Sequence, residues 1–201
     1  MESFAKPGGR LTGVFYRDTD LTAKRLEILK EIVPKLRHVV TFYDPRSRVS
    51  ADSAKLVQEE IARIRGIGFA ERHVSSVDDL QASLRTLKPG QVEAIFEVSD
   101  ALVHLHDQLI IDAAKVKRLA TMFVNQSSVV KGGLASYNIS RHEVGRVSAK
   151  YVQRILTGIK PKDLPVEGVD KIALTINLKA AKQIGLMIPP NVLARADRVI
   201  Q

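Results

Sequence analysis

The polar residues best placed to contact a ligand stand where short apolar runs stop: Tyr43 and Asp44, Ser99 and Asp100, Asn125, Gln126 and Ser127, and Tyr137 with Asn138. Each group can donate or accept hydrogen bonds, and the two tyrosines add an aromatic face. If the apolar runs are parallel strands, these are their carboxyl ends, where open α/β sheets take ligands. Helices starting just beyond them would aim N–H groups at the same crevice, which suits a carboxylate. Taken singly, Asp100 and Ser140 read as helix caps and Asp44-Pro45 as a turn. Taken together, a binding rim explains more. The chemistry it offers is recognition, since nothing in the set has the make-up of a reaction centre.

Other constellations fail on spacing. His104 and His106 are two apart inside an expected helix, so they point away from each other and make no metal pair. His38, His73 and His142 are scattered, and no metal or cofactor is implied. Ser127-Ser128 is not set in a G-x-S-x-G elbow. Gly66-Ile67-Gly68 leads into a strand rather than out of one, and neither Gly132-Gly133 nor Pro7-Gly8-Gly9 has the downstream Lys-Ser/Thr of a phosphate loop. The acidic pairs Asp78-Asp79 and Glu59-Glu60 serve as caps and solvated faces. The chain has no cysteine, which excludes disulfides, thiolate metal sites and thiol nucleophiles together.

The elements that must carry the rim alternate regularly. A helix is expected over 19–33, with Leu26, Leu29, Ile32 and Val33 on one face and Pro34 ending it. His38 to Tyr43 is a strand, followed by a helix over Ser50 to Arg65 with Ala54, Val57, Ile61 and Ile64 in a stripe. Phe69 to Val74 is the next strand, and Ser76 with Asp79 opens a helix that presents Leu80, Leu84 and Leu87. After the Lys88-Pro89-Gly90 turn come a strand over Val92 to Val98 and one helix from Asp100 carrying Leu102, Leu109, Ala113 and Val116. Leu119 to Val124 and Leu134 to Tyr137 are further strands. Ser140 to Glu143 caps a helix that Gly158 ends. One helix between successive strands is the βαβ rhythm of an α/β fold, an open parallel sheet of about five strands with helices on both faces. After Gly158 the rhythm breaks into a linker and a C-terminal β-α-α tail, with a strand over Lys171 to Ile176.

Length and composition agree with one ordinary domain plus an appendage: 201 residues, 45% hydrophobic and 26% charged. The net charge of +9 is spread through every helix without a basic run. That distribution argues against a dedicated nucleic-acid surface. No apolar stretch is long enough for a membrane helix, and the first ten residues lack the apolar core of a signal peptide. If Met1 is the true start, a cytoplasmic location is expected.

Several stretches resemble the tryptophan/tyrosine-type substrate-binding proteins of ABC uptake transporters, which have a type I periplasmic-binding-protein fold. Phe4-Ala5-Lys6-Pro7-Gly8-Gly9-Arg10-Leu11-Thr12-Gly13-Val14 is similar to a family segment, and so is the helix from Leu21 to Lys30. Tyr43-Asp44-Pro45 stands where the family has Tyr-Asn-Pro. Lys131 to Tyr137, Gly158 to Glu167, Ile176 to Lys182, Gly185 to Pro190 and Ala194 to Asp197 follow in matching order. The resemblance implies a non-enzymatic binding protein that clamps a small solute, such as an amino acid, between two lobes and hands it to a membrane permease. It implies a periplasmic or extracytoplasmic location. It also implies that the chain is truncated to the second lobe: a crossing segment over 1–18, a ligand-binding lobe over 19–165, and a return tail over 166–201 whose partner surface is absent. Crossing strands are expected near Leu11 to Tyr16 and Leu164 to Glu167. The ligand-binding residues carried over are Tyr43, Asp44, Ser99, Asp100, Asn125, Gln126, Ser127, Tyr137 and Asn138. Asp44 departs from the family Asn, replacing a donor by an anion and disfavouring a ligand carboxylate at that spot. An alternative is a sensing or interaction domain that forms a homodimer by exchanging its tail. A flavodoxin-like or nucleotide-hydrolysing enzyme is disfavoured by the missing phosphate loop.

Overall fold

In the computed structural model residues 3–17, 21–64, 66–88 and 90–201 are described. The expected helix start at Thr19, the helix end at Arg65 and the Pro89 turn position lie outside them. In chain order the elements are β1 (Val14–Phe15), α1 (Thr22–Ile32), β2 (His38–Tyr43), α2 (Arg48–Arg63), β3 (Gly68–His73) and α3 (Val77–Thr86). Then come β4 (Ala94–Phe96), α4 (Ala101–Leu105), α5 (Asp107–Lys117), β5 (Ala120–Phe123), α6 (Gln126–Val130) and β6 (Ala135–Ile139). The last are α7 (Arg141–Leu156), β7 (Glu167–Gly168), β8 (Ile172–Asn177), α8 (Leu178–Ile184), α9 (Pro190–Leu193) and β9 (Arg198–Ile200).

Contacts group the chain into two units, Met1–Asp18 with Ile139–Ala173, and Thr19–Asn138 with Leu174–Gln201. In the first unit, β1 and β7 pair in parallel. Here the two segments expected as crossing strands bond to each other. Thr12 Oγ1 donates to Leu164 O at 2.9 Å, and Val166 N–H to Phe4 O at 2.7 Å. Helix α7 begins where Ser140 Oγ accepts from Glu143 N–H. It packs on β1, and its buried Tyr151 donates its hydroxyl to Pro165 O at 2.7 Å. Phe4 stacks on Phe15 and Arg141 lies over the Tyr16 ring.

The second unit is built on a seven-stranded sheet in the order β3-β2-β4-β5-β6-β8-β9. Alternation along β2 shows why its central strands are buried on both faces. Val39 and Tyr43 join a cluster with α1, α2, α8 and α9, whereas Val40 and Phe42 join one with α3, α4 and α5. Strands β3 to β6 are parallel to their neighbours in this half of the sheet. Strand β8 reverses direction: Asn177 at its carboxyl end donates its N–H to Leu134, the residue just before β6 starts. Strand β9 then runs parallel to β8.

Two expectations are corrected here. The sheet has seven strands rather than about five, and residues 174–201 are no orphan tail. Leu174, Ile176, Ala180, Ala181, Ile188 and Val192 are buried in the cluster under α1 and α2. Those side chains are thus covered within the same chain. The helix expected from Asp100 also breaks, at His106 (φ −115°, ψ 27°). The break lets Asp107 turn its carboxylate inward, where Lys131 Nζ donates to both oxygens at 2.8 and 2.9 Å and Ser128 Oγ to one at 2.8 Å.

Candidate functional site

Because β2, β4, β5 and β6 are consecutive in the sheet, their carboxyl ends form one edge. Tyr43, Asp44, Ser99, Asp100, Asn125, Gln126 and Ser127 belong to this unit and sit at or just past those ends, while Tyr137 and Asn138 lie within β6, which continues to Ile139. Four loops separated by up to 94 positions in sequence are thus neighbours, which is the arrangement by which an open α/β sheet makes a crevice.

Within that edge the side chains have different work. Asp100 is buried; its Oδ1 accepts from Val103 N–H and its Oδ2 from Asp44 N–H, both at 2.9 Å. It caps α4 and ties the ends of β2 and β4 together. Asp44 is engaged by Arg46, whose Nη2 donates at 2.7 Å and whose Nε reaches both oxygens. These hydrogen bonds, with the guanidinium charge, hold the Asp44 carboxyl below its usual range. Arg46 is anchored in turn on Ser75 O. The negative charge that separates this loop from the family's Asn is therefore locally matched by a cation.

Tyr43 turns toward the edge strand. Its hydroxyl donates to Glu71 Oε2 at 2.5 Å and lies 3.0 Å from His73 Nε2. Burial first, then the bond to Glu71 and its charge, push the phenol up to about 12. Gln126 reaches down to Thr175 Oγ1 at 3.0 Å, so its amide braces α6 against β8. Ser127 is exposed, Ser99, Asn125 and Tyr137 are half-buried, and Asn138 is buried. The groups facing outward from this edge are thus chiefly Ser99, Asn125, Ser127 and Tyr137.

Glu97 escaped the reading of the sequence, and His104 was weighed there only as a metal ligand. Glu97, just past β4, is buried at 3% exposure. Its Oε2 accepts from Val124 N–H at 2.7 Å, while Oε1 receives no hydrogen bond from the described residues. Oε1 instead faces His104 Nδ1 of α4 at 3.7 Å, an ion-pair distance rather than a hydrogen-bond distance. His104 Nδ1 is also 3.1 Å from the Asn125 side-chain amide. The contact with Glu97 raises the His104 imidazole above its ordinary value, and the charges of Glu97 and Asp107 add to it. Partial burial and Lys131 act the other way. The usable signal was a lone acid interrupting Ala94-Ile95-Phe96-Glu97-Val98, since a carboxylate in an otherwise buried run needs a partner.

A mostly parallel α/β sheet, covered on both sides and presenting polar residues along one carboxyl edge, has the geometry of a ligand-binding α/β lobe. The family model described as "ABC transporter substrate binding protein" matches residues 1–200, and the chain belongs to that family, one of binding proteins rather than enzymes. A conserved domain protein from Vibrio cholerae is 27% identical with a TM-score of 0.82, covering 98% of this chain and 66% of its own. An ABC domain from Streptococcus pneumoniae in complex with L-Trp shares the fold at 24% identity and a TM-score of 0.80, over 99% of this chain and 68% of its own. An uncharacterized protein of Rickettsia prowazekii is 21% identical over 148 residues, 74% of this chain and 48% of that protein. The chain thus spans about half the length of that curated relative and about two thirds of the solved structures.

Proposed function

We propose that this chain is the solute-binding component of an ABC-type importer, working outside the cytoplasmic membrane with a permease. The solute docks at the carboxyl edge of β2, β4, β5 and β6. The observation that carries this reading is the adjacency of Ser99, Asn125, Ser127, Tyr137 and Asn138 at consecutive strand ends. Family membership supports the transport role. The proposed solute is an amino acid or a similarly small polar molecule. Asp44 does not oppose it, because Arg46 already neutralises that carboxylate.

Mapping amide shifts of the 201-residue chain by NMR, with a panel of L-amino acids, pentoses and polyols, tests the reading and detects even millimolar binding. Shifts concentrated at residues 97–104, 125–128 and 136–138 are expected for at least one solute. Shifts confined to the outer face of α3 and α5, or none with any solute, would overturn it.

A further inference from the structure

The rim's hydroxyls and amides are neutral donors and acceptors, whereas a solute with an anionic group is held more strongly by a cationic donor. His104 is the candidate. It stands one turn into α4, whose first residue follows the rim acid Asp100, and it touches the rim amide Asn125. We propose that His104 is the residue that takes an anionic group of the solute, a carboxylate above all, and that the buried Glu97 is its positioning residue.

The geometry assigns the two nitrogens different tasks. Nδ1 faces inward, toward Glu97 Oε1 and Asn125. Nε2, on the other edge of the ring, is given no hydrogen bond by the described residues. The side chain is 41% exposed, whereas that of Glu97 is 2% exposed. In the neutral ring, an Nδ1 that accepts from Asn125 leaves the proton on Nε2, so the outward atom donates. On protonation Nδ1–H turns to the Glu97 carboxylate, and Nε2–H becomes a charge-assisted donor. The charges facing the ring are Glu97 from the end of β4, Asp107 from α5 and Lys131 from beyond α6. Lys131 is held by Asp107 on both oxygens. Glu97 Oε1, buried and without a hydrogen bond from the described residues, is left as the counter-ion of the imidazolium. That an unbonded carboxylate oxygen is buried at all calls for a cation beside it.

The inference rests on the solute-binding reading, and one experiment separates the two. The full chain is titrated by NMR at pH 6 and pH 8.5 with L-leucine, L-leucinamide, succinate and D-ribose, following rim amides and the His104 ring. Rim and ring shifts with leucine or succinate but not with leucinamide are expected, with affinity at least about fivefold weaker at pH 8.5 as the donor loses its charge. His104→Gln should lose that pH dependence, and Glu97→Gln should move its midpoint to lower pH. If Glu97→Gln does not fold, His104→Gln alone carries the comparison. Carboxylates that bind His104→Gln as tightly as the parent chain, with the same pH profile, would overturn the inference. So would rim shifts from ribose alone, with solute binding itself left standing. No rim shift from any of the four would remove both.

Discussion

The backbone N–H of Asp44 donates to Asp100 Oδ2 at 2.9 Å while Asp100 Oδ1 takes Val103 N–H at the same distance, so one buried carboxylate both joins two strand ends and starts a helix. The neighbouring positions of the rim depend on that clasp. Removing it leaves the part-buried Asp44 N–H and the buried Val103 N–H to find other partners.

Asp100→Ala should therefore cost about 1–3 kcal/mol, the loss of a cap plus an unsatisfied donor. Urea denaturation followed by circular dichroism measures it. Asp100→Asn keeps one acceptor and should cost less than the alanine. Equal stabilities for all three chains would show that the clasp is dispensable.

The Tyr43 phenol ties pH to stability at the alkaline end. Its folded value, about 12, lies above the ordinary value of 10.0. A group whose folded value is raised contributes stability that is whole below the unfolded value and is lost as pH climbs through the folded one. Stability should hold up to about pH 10 and fall between there and about pH 12. Tyr43→Phe should flatten that part of the curve and remove one late-ionising phenolate from the absorbance titration at about 295 nm. An unchanged alkaline limb in Tyr43→Phe would refute the assignment.

Two glycines should respond oppositely to alanine. A Cβ at Gly133 would meet the Phe123 ring at 2.5 Å and Ser128 O at 3.0 Å, and Phe123 is buried with no room to yield. Gly133→Ala should cost about 1–3 kcal/mol by overpacking. Gly145, inside α7, has nothing within 4 Å of its would-be Cβ. Gly145→Ala should add roughly 0.5–1 kcal/mol by removing glycine's backbone entropy from a helix. Thermal melts of the pair check both signs at once.

Integration of the C-terminal strands is tested by contrast. Ile176 in β8 is fully buried and Met187 is 88% exposed. Ile176→Ala should lose about 2–5 kcal/mol, Met187→Ala within about 0.5 kcal/mol. A small loss at Ile176 would mean that β8 contributes little to the sheet.

The His104–Glu97 pair makes an analogous claim at neutral pH. Its imidazole is raised above 6.5, so the stability it adds is complete below that value and fades as pH rises through the folded one. Stability of the parent chain against His104→Gln should differ most below pH 6.5 and converge as the pH rises well above it. A constant difference across that range would show that the ring acts by packing alone.

Local pattern by itself determined a good part of this protein. The β-branched and aromatic run at His38–Tyr43, the caps at Ser76, Asp100 and Ser140, and the polar residues closing each run are properties of neighbouring positions. They suffice for an α/β sheet with a polar carboxyl edge. Tertiary structure decided everything whose partners lie far apart in the chain. Asn177 meeting Leu134 reverses β8, and burial of Ile176 and Val192 beneath α1 makes core of a segment that looked orphaned. Glu97 reads as one strand residue until β5 brings Val124 to one oxygen and α4 brings His104 to the other. Even Tyr43, placed correctly at a strand end, turns its hydroxyl to Glu71 because β3 pairs there. Sequence periodicity specifies which face of an element is buried; only the pairing of distant elements specifies what each polar atom meets.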